Sequence, residues 1–212
     1  MTIRIHIQIG QKETGAEMID KALSADRTET AAELSEDRLR EIQKTAEDIL
    51  DQYKLLPGFD LARFLTREES FVLGLKEMDR NTTGVLLINQ EEFIRGTTTH
   101  KLILINQRLQ EQPDFQQRSR FIAAHEYGHY KLHATGMSYY PHRDTSNVNA
   151  PQEQEAEYFA RCLLMPEKSI RELMKLSAVA DGSTEDKAAM IARFFNVTQK
   201  KASQRMADLV RS

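Results

Sequence analysis

The chain has 212 residues and a formal net charge of -3. That length allows a substantial core in one or two domains, and the slightly acidic balance argues against a globally basic nucleic-acid binder. Cys162 is the only cysteine, which excludes an intrachain disulfide, and no apolar run approaches the length of a bilayer span.

Thr2 to Ile9 alternates strictly between polar and apolar residues and predicts one half-buried strand, with His6 on its polar side. Residues 11 to 35 are polar with scattered Ala and Leu and read as weak helix or linker. From Glu36 to Lys54, Leu39, Ile42, Ala46, Ile49, Leu50 and Tyr53 recur at helical spacing until Pro57-Gly58 interrupts them. A short helix over Asp60 to Leu65 follows. Three strand-like runs come next, at Phe71-Leu73, Gly84-Ile88 and Lys101-Ile105. A sheet edge beside them could bind an extended peptide as an added strand.

Pro113 suits the first position of the next helix, in which Phe121, Ile122, His125, Gly128, His129 and Leu132 form one stripe. The stripe contains His125-Glu126-Tyr127-Gly128-His129, an HExxH pattern. On a helix this pattern sets two imidazoles one turn apart, with the carboxylate about 100° round the axis, beside the ligands and not among them. Two histidines buried a turn apart without a partner would be costly, so the pattern points to a metal, with Gly128 clearing space between the rings. Cys162 lies among Ala160, Leu163 and Leu164 and reads as a core residue.

Residues 135 to 150 are rich in small and polar types and read as a loop; Tyr139, Tyr140, His142 and Arg143 within it are candidate oxyanion donors. A second amphipathic helix follows, with Glu153, Glu155 and Glu157 at its start and Pro166 at its end. Catalytic zinc commonly takes three protein ligands, so a carboxylate from this helix would complete the set. Glu153 and Glu157 share a face, and one can bind metal while the other orients a histidine. Against the apolar stripe, Glu153 projects about 60° from the centre and Glu155 about 100° on the opposite flank. The residue four beyond Glu155 is Phe159, so substituting Glu155 is expected to leave metal affinity nearly unchanged.

After Pro166 the pattern predicts a short helix over Ser169 to Leu176, a break at Asp181-Gly182, and a final pair over Thr184-Phe195 and Thr198-Val210. Ser183 or Thr184 caps the first of these, and Asn196-Val197-Thr198 makes the turn. The pair has a helix-turn-helix outline, and Lys200, Lys201 and Arg205 add positive charge to its last helix. DNA contact is therefore a second reading, though such pairs also close domains that never touch DNA.

The run Arg120 to His133, then the acidic E-x-x-A stretch, Phe159-Ala160 and Leu163-Leu164-Met165-Pro166, resembles the ImmA/IrrE metallopeptidases. The resemblance covers roughly residues 36 to 211 and is strongest over the two motif helices. It implies an α+β fold: a mainly helical, zincin-like metallopeptidase with a gluzincin-like helix pair, a three-stranded sheet and the C-terminal helix pair. Residues 2 to 9, outside the resemblance, read as an extra edge strand, which would make the sheet four-stranded, or as an oligomer contact. By resemblance, His125 and His129 are zinc ligands, Glu153 is the third ligand and Glu126 is the general base. Family members commonly carry Asn or Asp where this chain has Glu157, and His133 matches a frequent Leu-His pair, read here as structural or as supporting a ligand.

The expected organisation is an N-terminal strand and linker over residues 1–35, a metallopeptidase domain over 36–180, and a helix pair over 181–212 packed on that domain. The expected activity is endopeptidase cleavage with one catalytic Zn2+. The resemblance implies a helix-turn-helix repressor of a mobile element or stress response as substrate. The alternative is a DNA-binding or partner-binding module that keeps a zinc site without turnover. With no charged-then-apolar leader and no membrane span, the expected compartment is the cytoplasm.

Overall fold

The computed structural model describes residues 34–88, 101–134, 138–143, 151–176 and 182–211. The strand expected over residues 2–9, and nearly all of the stretch 11–35, lie outside the described residues. Helix α1 spans Glu36–Gln52 and begins at Ser35, whose side chain accepts from the Arg38 backbone N–H. Its buried residues Ile42, Ala46, Ile49 and Leu50 follow the expected stripe. Helix α2 spans Leu61–Arg67, capped in the same way by Asp60.

The sheet contains β1 (Val72–Lys76), β2 (Thr82–Ile88), β3 (Lys101–Asn106) and β4 (Ser138–Arg143), in the spatial order β1-β3-β2-β4. Strand β1 runs parallel to β3, while β2 is antiparallel to both β3 and β4. The fourth strand of the described sheet comes from the stretch read as a loop between the motif helices. Its run Ser-Tyr-Tyr-Pro-His-Arg lacks alternation and contains Pro141, which a sheet tolerates best at an edge. It pairs along β2 from Thr82 to Ile88 and so covers the edge nearest the HExxH helix. The edges of the described sheet are β1 and β4.

Both faces of the inner strands are buried. Leu86, Ile88, Ile103 and Ile105 join the main core, while Val85, Leu87, Leu102 and Leu104 form a smaller cluster with Val72 and Met78. That is why these runs read as continuously apolar.

A 3-10 turn at Gln107–Glu111 leads to α3 (Phe115–His133), so Pro113 sits in the turn before the helix and not at its first position. The single apolar stripe expected for α3 is too narrow a description. Every residue from Phe121 to His129 is buried. Ile122 faces Gly84 of β2, and Gly128 meets helix α4 (Pro151–Leu164). Tyr127 lies edge-on to Phe64, Phe71 and Phe159. Its hydroxyl donates to Glu69 at 2.7 Å, and Lys131 donates to the same carboxylate at 3.1 Å. A helix enclosed on all sides carries little polar-apolar contrast.

Helix α5 spans Glu167–Met174, and the final pair is α6 (Thr184–Phe195) and α7 (Gln199–Arg211). Ser183 and Asp186 form a capping box on α6. Asn196 ends α6 in the left-handed region at φ 53°, which makes the expected turn.

Candidate metal centre

Helices α3 and α4 pack directly on each other and carry the candidate ligands. A side chain at Gly128 would strike the Ala156 backbone, so this glycine serves the close approach of the two helices and not the space between the histidine rings. His125 and His129 are each 1% exposed, with ring centroids 4.7 Å apart. Their Nε2 atoms lie 3.0 Å apart. Glu153 on α4 places Oε2 3.2 Å from His125 Nε2 and Oε1 3.1 Å from His129 Nε2.

Among the described residues, His125, His129 and Glu153 form the group able to hold a metal ion. The donor set fits such an ion. Donors around a tetrahedral zinc at ordinary bond lengths stand roughly 3.3 Å apart, close to the observed separations. Two imidazole nitrogens and a carboxylate converging on one point suit a divalent cation of zinc type.

Glu126, wholly buried, turns aside from these donors toward β2. A Cβ at Gly84 would overlap the Ile122 Cγ2 methyl and lie 2.9 Å from Glu126 Oε1, so glycine there leaves room for the carboxyl. Burial, and then the charge of Glu153, push its pKa well above the usual carboxylate value. The Leu86 backbone N–H opposes that shift only weakly, and neither carboxyl oxygen has a hydrogen bond of good geometry. A divalent cation beside it would act in the opposite direction.

Glu157 stands 3.8 Å from His125 Nδ1, on the same helix face as Glu153. It is held by Lys201 of α7 and by Arg161, whose Nη1 donates to it at 3.2 Å. Burial works to raise its pKa, but Lys201 and Arg161 outweigh burial and leave it lowered.

Glu155 has side-chain partners that helical spacing did not indicate. Its Oε2 lies 2.8 Å from His133 Nε2, and His133 Nδ1 lies 3.2 Å from His129 Nδ1. Arg38 of α1 donates to both Glu155 oxygens, at 2.9 and 2.6 Å. The Arg38 hydrogen bond is the largest cause of the lowered Glu155 pKa, while burial is the largest cause of the lowered His133 pKa. Helical spacing alone offered no sign of these partners, because Arg38 is 117 residues away in the chain.

Two of the three cations counted toward DNA binding are turned inward. Arg205 is 1% exposed and donates to the Met165 carbonyl, and Lys201 is bound to Glu157. Cys162 is buried, and burial raises its thiol pKa to about 11, so it is a core residue and a poor nucleophile. The backbone of Tyr139, Tyr140, His142 and Arg143 lies in β4, but their side chains lie outside the described residues.

A cleft of about 1340 Å³ reaches His125 and Glu153 between α1 and α4, with Leu39, Gln43 and Glu47 on its α1 wall. Among the described residues, no helix is long and apolar enough to cross a membrane.

An HExxH helix joined by a carboxylate from a second helix, beside a mixed sheet, defines a metallopeptidase type of protein. The chain belongs to the Peptidase_M78 family, described as the IrrE N-terminal-like domain, which matches residues 48–207. That span includes every residue of the candidate metal centre but not Arg38. No curated protein matched the chain.

Proposed function

We propose that the protein is a zinc-dependent endopeptidase that cleaves a cytoplasmic helix-turn-helix repressor of a mobile element or stress response. The observation carrying the catalytic part is the convergence of His125 Nε2, His129 Nε2 and the Glu153 carboxylate to within 3.2 Å, beside the buried Glu126. Family membership supports peptidase chemistry, and the cleft at His125 and Glu153 exceeds the usual volume of a small-molecule pocket. The repressor substrate rests on resemblance to the ImmA/IrrE metallopeptidases.

In this reading His125, His129 and Glu153 hold one zinc ion. Bound there, zinc supplies Lewis-acid chemistry: it lowers the pKa of water and polarises a peptide carbonyl. Glu126 acts as general base, taking a proton on a carboxyl oxygen and passing it to the leaving amine. Its burial keeps bulk water away from that proton, and its helix position keeps it from serving as a ligand. Glu157 stands behind His125 and supports the ring electrostatically. Peptide-bond hydrolysis adds the elements of one water across the scissile C–N bond, leaving a carboxylate and an amine.

The test is mass spectrometry of candidate repressors incubated with the zinc-loaded protein, with Glu126→Gln as control. A single cut in the repressor, absent in the control, is expected. Equal processing of an unrelated unfolded protein such as casein would instead mark a housekeeping peptidase. Metal analysis gives the complementary measurement, with about one zinc per chain expected and little in His129→Ala.

A further inference from the structure

One face of α3 carries histidines at three successive turns, and the third, His133, takes no part in the donor cluster. Its position nevertheless determines how His129 can bind a cation. With His129 Nε2 directed at the cluster as a lone-pair donor, its proton resides on Nδ1. That N–H points at His133 Nδ1, 3.2 Å away, which must then accept. The His133 proton is thereby placed on Nε2, which donates to Glu155 Oε2 at 2.8 Å. The acceptor is an ionised carboxylate, because Arg38 grips both of its oxygens. Along this line of contacts, the proton position at each ring sets the one required at the next.

We propose that His133, Glu155 and Arg38 form a positioning relay that fixes the tautomer and ring orientation of His129 for metal binding. The inference rests on the metal-centre reading above. It adds Arg38, which lies on α1 before the span matched by the family. The relay thus makes the quality of a metal ligand depend on the docking of α1, most of which lies before the span matched by the family. His133 and Glu155 are nearly enclosed, with side chains 6% and 13% exposed, so water competes poorly for their hydrogen bonds.

The simpler role for the Arg38–Glu155 pair is a staple holding α1 to α4. A staple would alter unfolding stability and leave metal affinity unchanged.

The experiment is competitive zinc titration of the full chain against a chromophoric chelator, with urea unfolding of the metal-free protein measured alongside. His133→Phe keeps the ring volume and removes the acceptor; Glu155→Ala removes the anion. Each is expected to weaken zinc binding by about tenfold to a hundredfold. Glu155→Gln keeps a carbonyl oxygen that can accept from His133 and should recover most of the loss. Arg38→Ala should weaken affinity less than Glu155→Ala, and Arg38→Lys should restore part of it. The visible spectrum of the cobalt-substituted protein should shift in His133→Phe, as His129 loses its fixed orientation.

Wild-type zinc affinity in His133→Phe and Glu155→Ala, with only unfolding changed, overturns the relay and leaves the metal centre standing. Failure of the wild-type protein to bind zinc, or full binding by His129→Ala, overturns both. Should His133→Phe fail to fold, the comparison of Glu155→Ala with Glu155→Gln decides the question: weakened zinc binding restored by glutamine supports the relay, and equal wild-type affinity in both overturns it.

Discussion

Gly128 of α3 lies against the backbone of Ala156 on α4. A methyl group at Gly128 would stand 3.1 Å from the Ala156 carbonyl oxygen and 3.2 Å from its Cα. Both are backbone atoms and cannot rotate away, so Gly128→Ala must push apart the helices that carry His125, His129 and Glu153. Alanine favours a helix by about 1 kcal/mol over glycine, whereas overpacking of this kind costs about 1–3 kcal/mol. The expected result is a stability change near zero or unfavourable, with zinc affinity lowered at least several-fold. Unchanged affinity in a chelator titration would show that the helix spacing does not set the ligand geometry.

Gly84 does the same for Glu126, the proposed base. A side chain there overlaps the Ile122 methyl and crowds Glu126 Oε1. Gly84→Ala is expected to reduce cleavage at least about tenfold while zinc remains bound, because the contacts made too close are with Ile122 and Glu126 and not with the candidate ligands. Zinc content and turnover measured on one preparation separate the two effects. A variant that loses zinc along with activity would contradict this assignment.

Glu126→Gln should keep zinc and lose at least about a hundredfold in cleavage rate. Its metal-free form should also unfold at higher urea than the wild type near neutral pH. The folded-state pKa of Glu126 is raised by burial and by Glu153. A raised carboxyl pKa means that stability is fully present below the ordinary carboxylate range and is lost as pH rises through the folded value. The advantage of the glutamine variant should therefore vanish at acidic pH and grow upward from the ordinary range. A constant difference across that window would argue against the raised pKa.

Lys201 joins the last helix to the candidate metal centre through Glu157, which stands 3.8 Å from His125 Nδ1. Lys201→Met removes one of the two cations on that carboxylate, with both partners mostly enclosed at 24% and 20% exposed. A loss of roughly 1–2 kcal/mol in stability is expected, with a several-fold fall in zinc affinity. Urea unfolding and zinc titration test the two parts. Stability and affinity both at wild-type levels would show that α7 packs without influence on the centre.

The parts of this protein legible from sequence are those set by local spacing. Residues four apart on a helix share a face whatever surrounds them, so HExxH and the Glu153–Glu157 pair announced their geometry directly. Helix α1 carried its own apolar period, and α6 carried its own cap. The β2 and β3 runs were apolar enough to be read as strands without knowledge of their neighbours.

Strand β4 was not legible, because Ser138–Arg143 becomes a strand only by pairing with β2, roughly fifty to sixty residues earlier in the chain. Arg205 likewise looks like a surface cation in a one-dimensional pattern, and only the packing of α7 encloses it.

The sequence by itself determined which residues could bind a metal and which could move a proton, since those properties belong to side-chain chemistry and helical repeat. Tertiary structure alone decided what supports them: Gly128 admits α4, Gly84 admits Glu126, and Arg38 reaches Glu155 and through it His133 and His129. The reason is physical. A helix carries its own repeat within its sequence, whereas the partner of a buried polar group is whichever residue the packing brings within hydrogen-bond reach, and no local pattern encodes that distance.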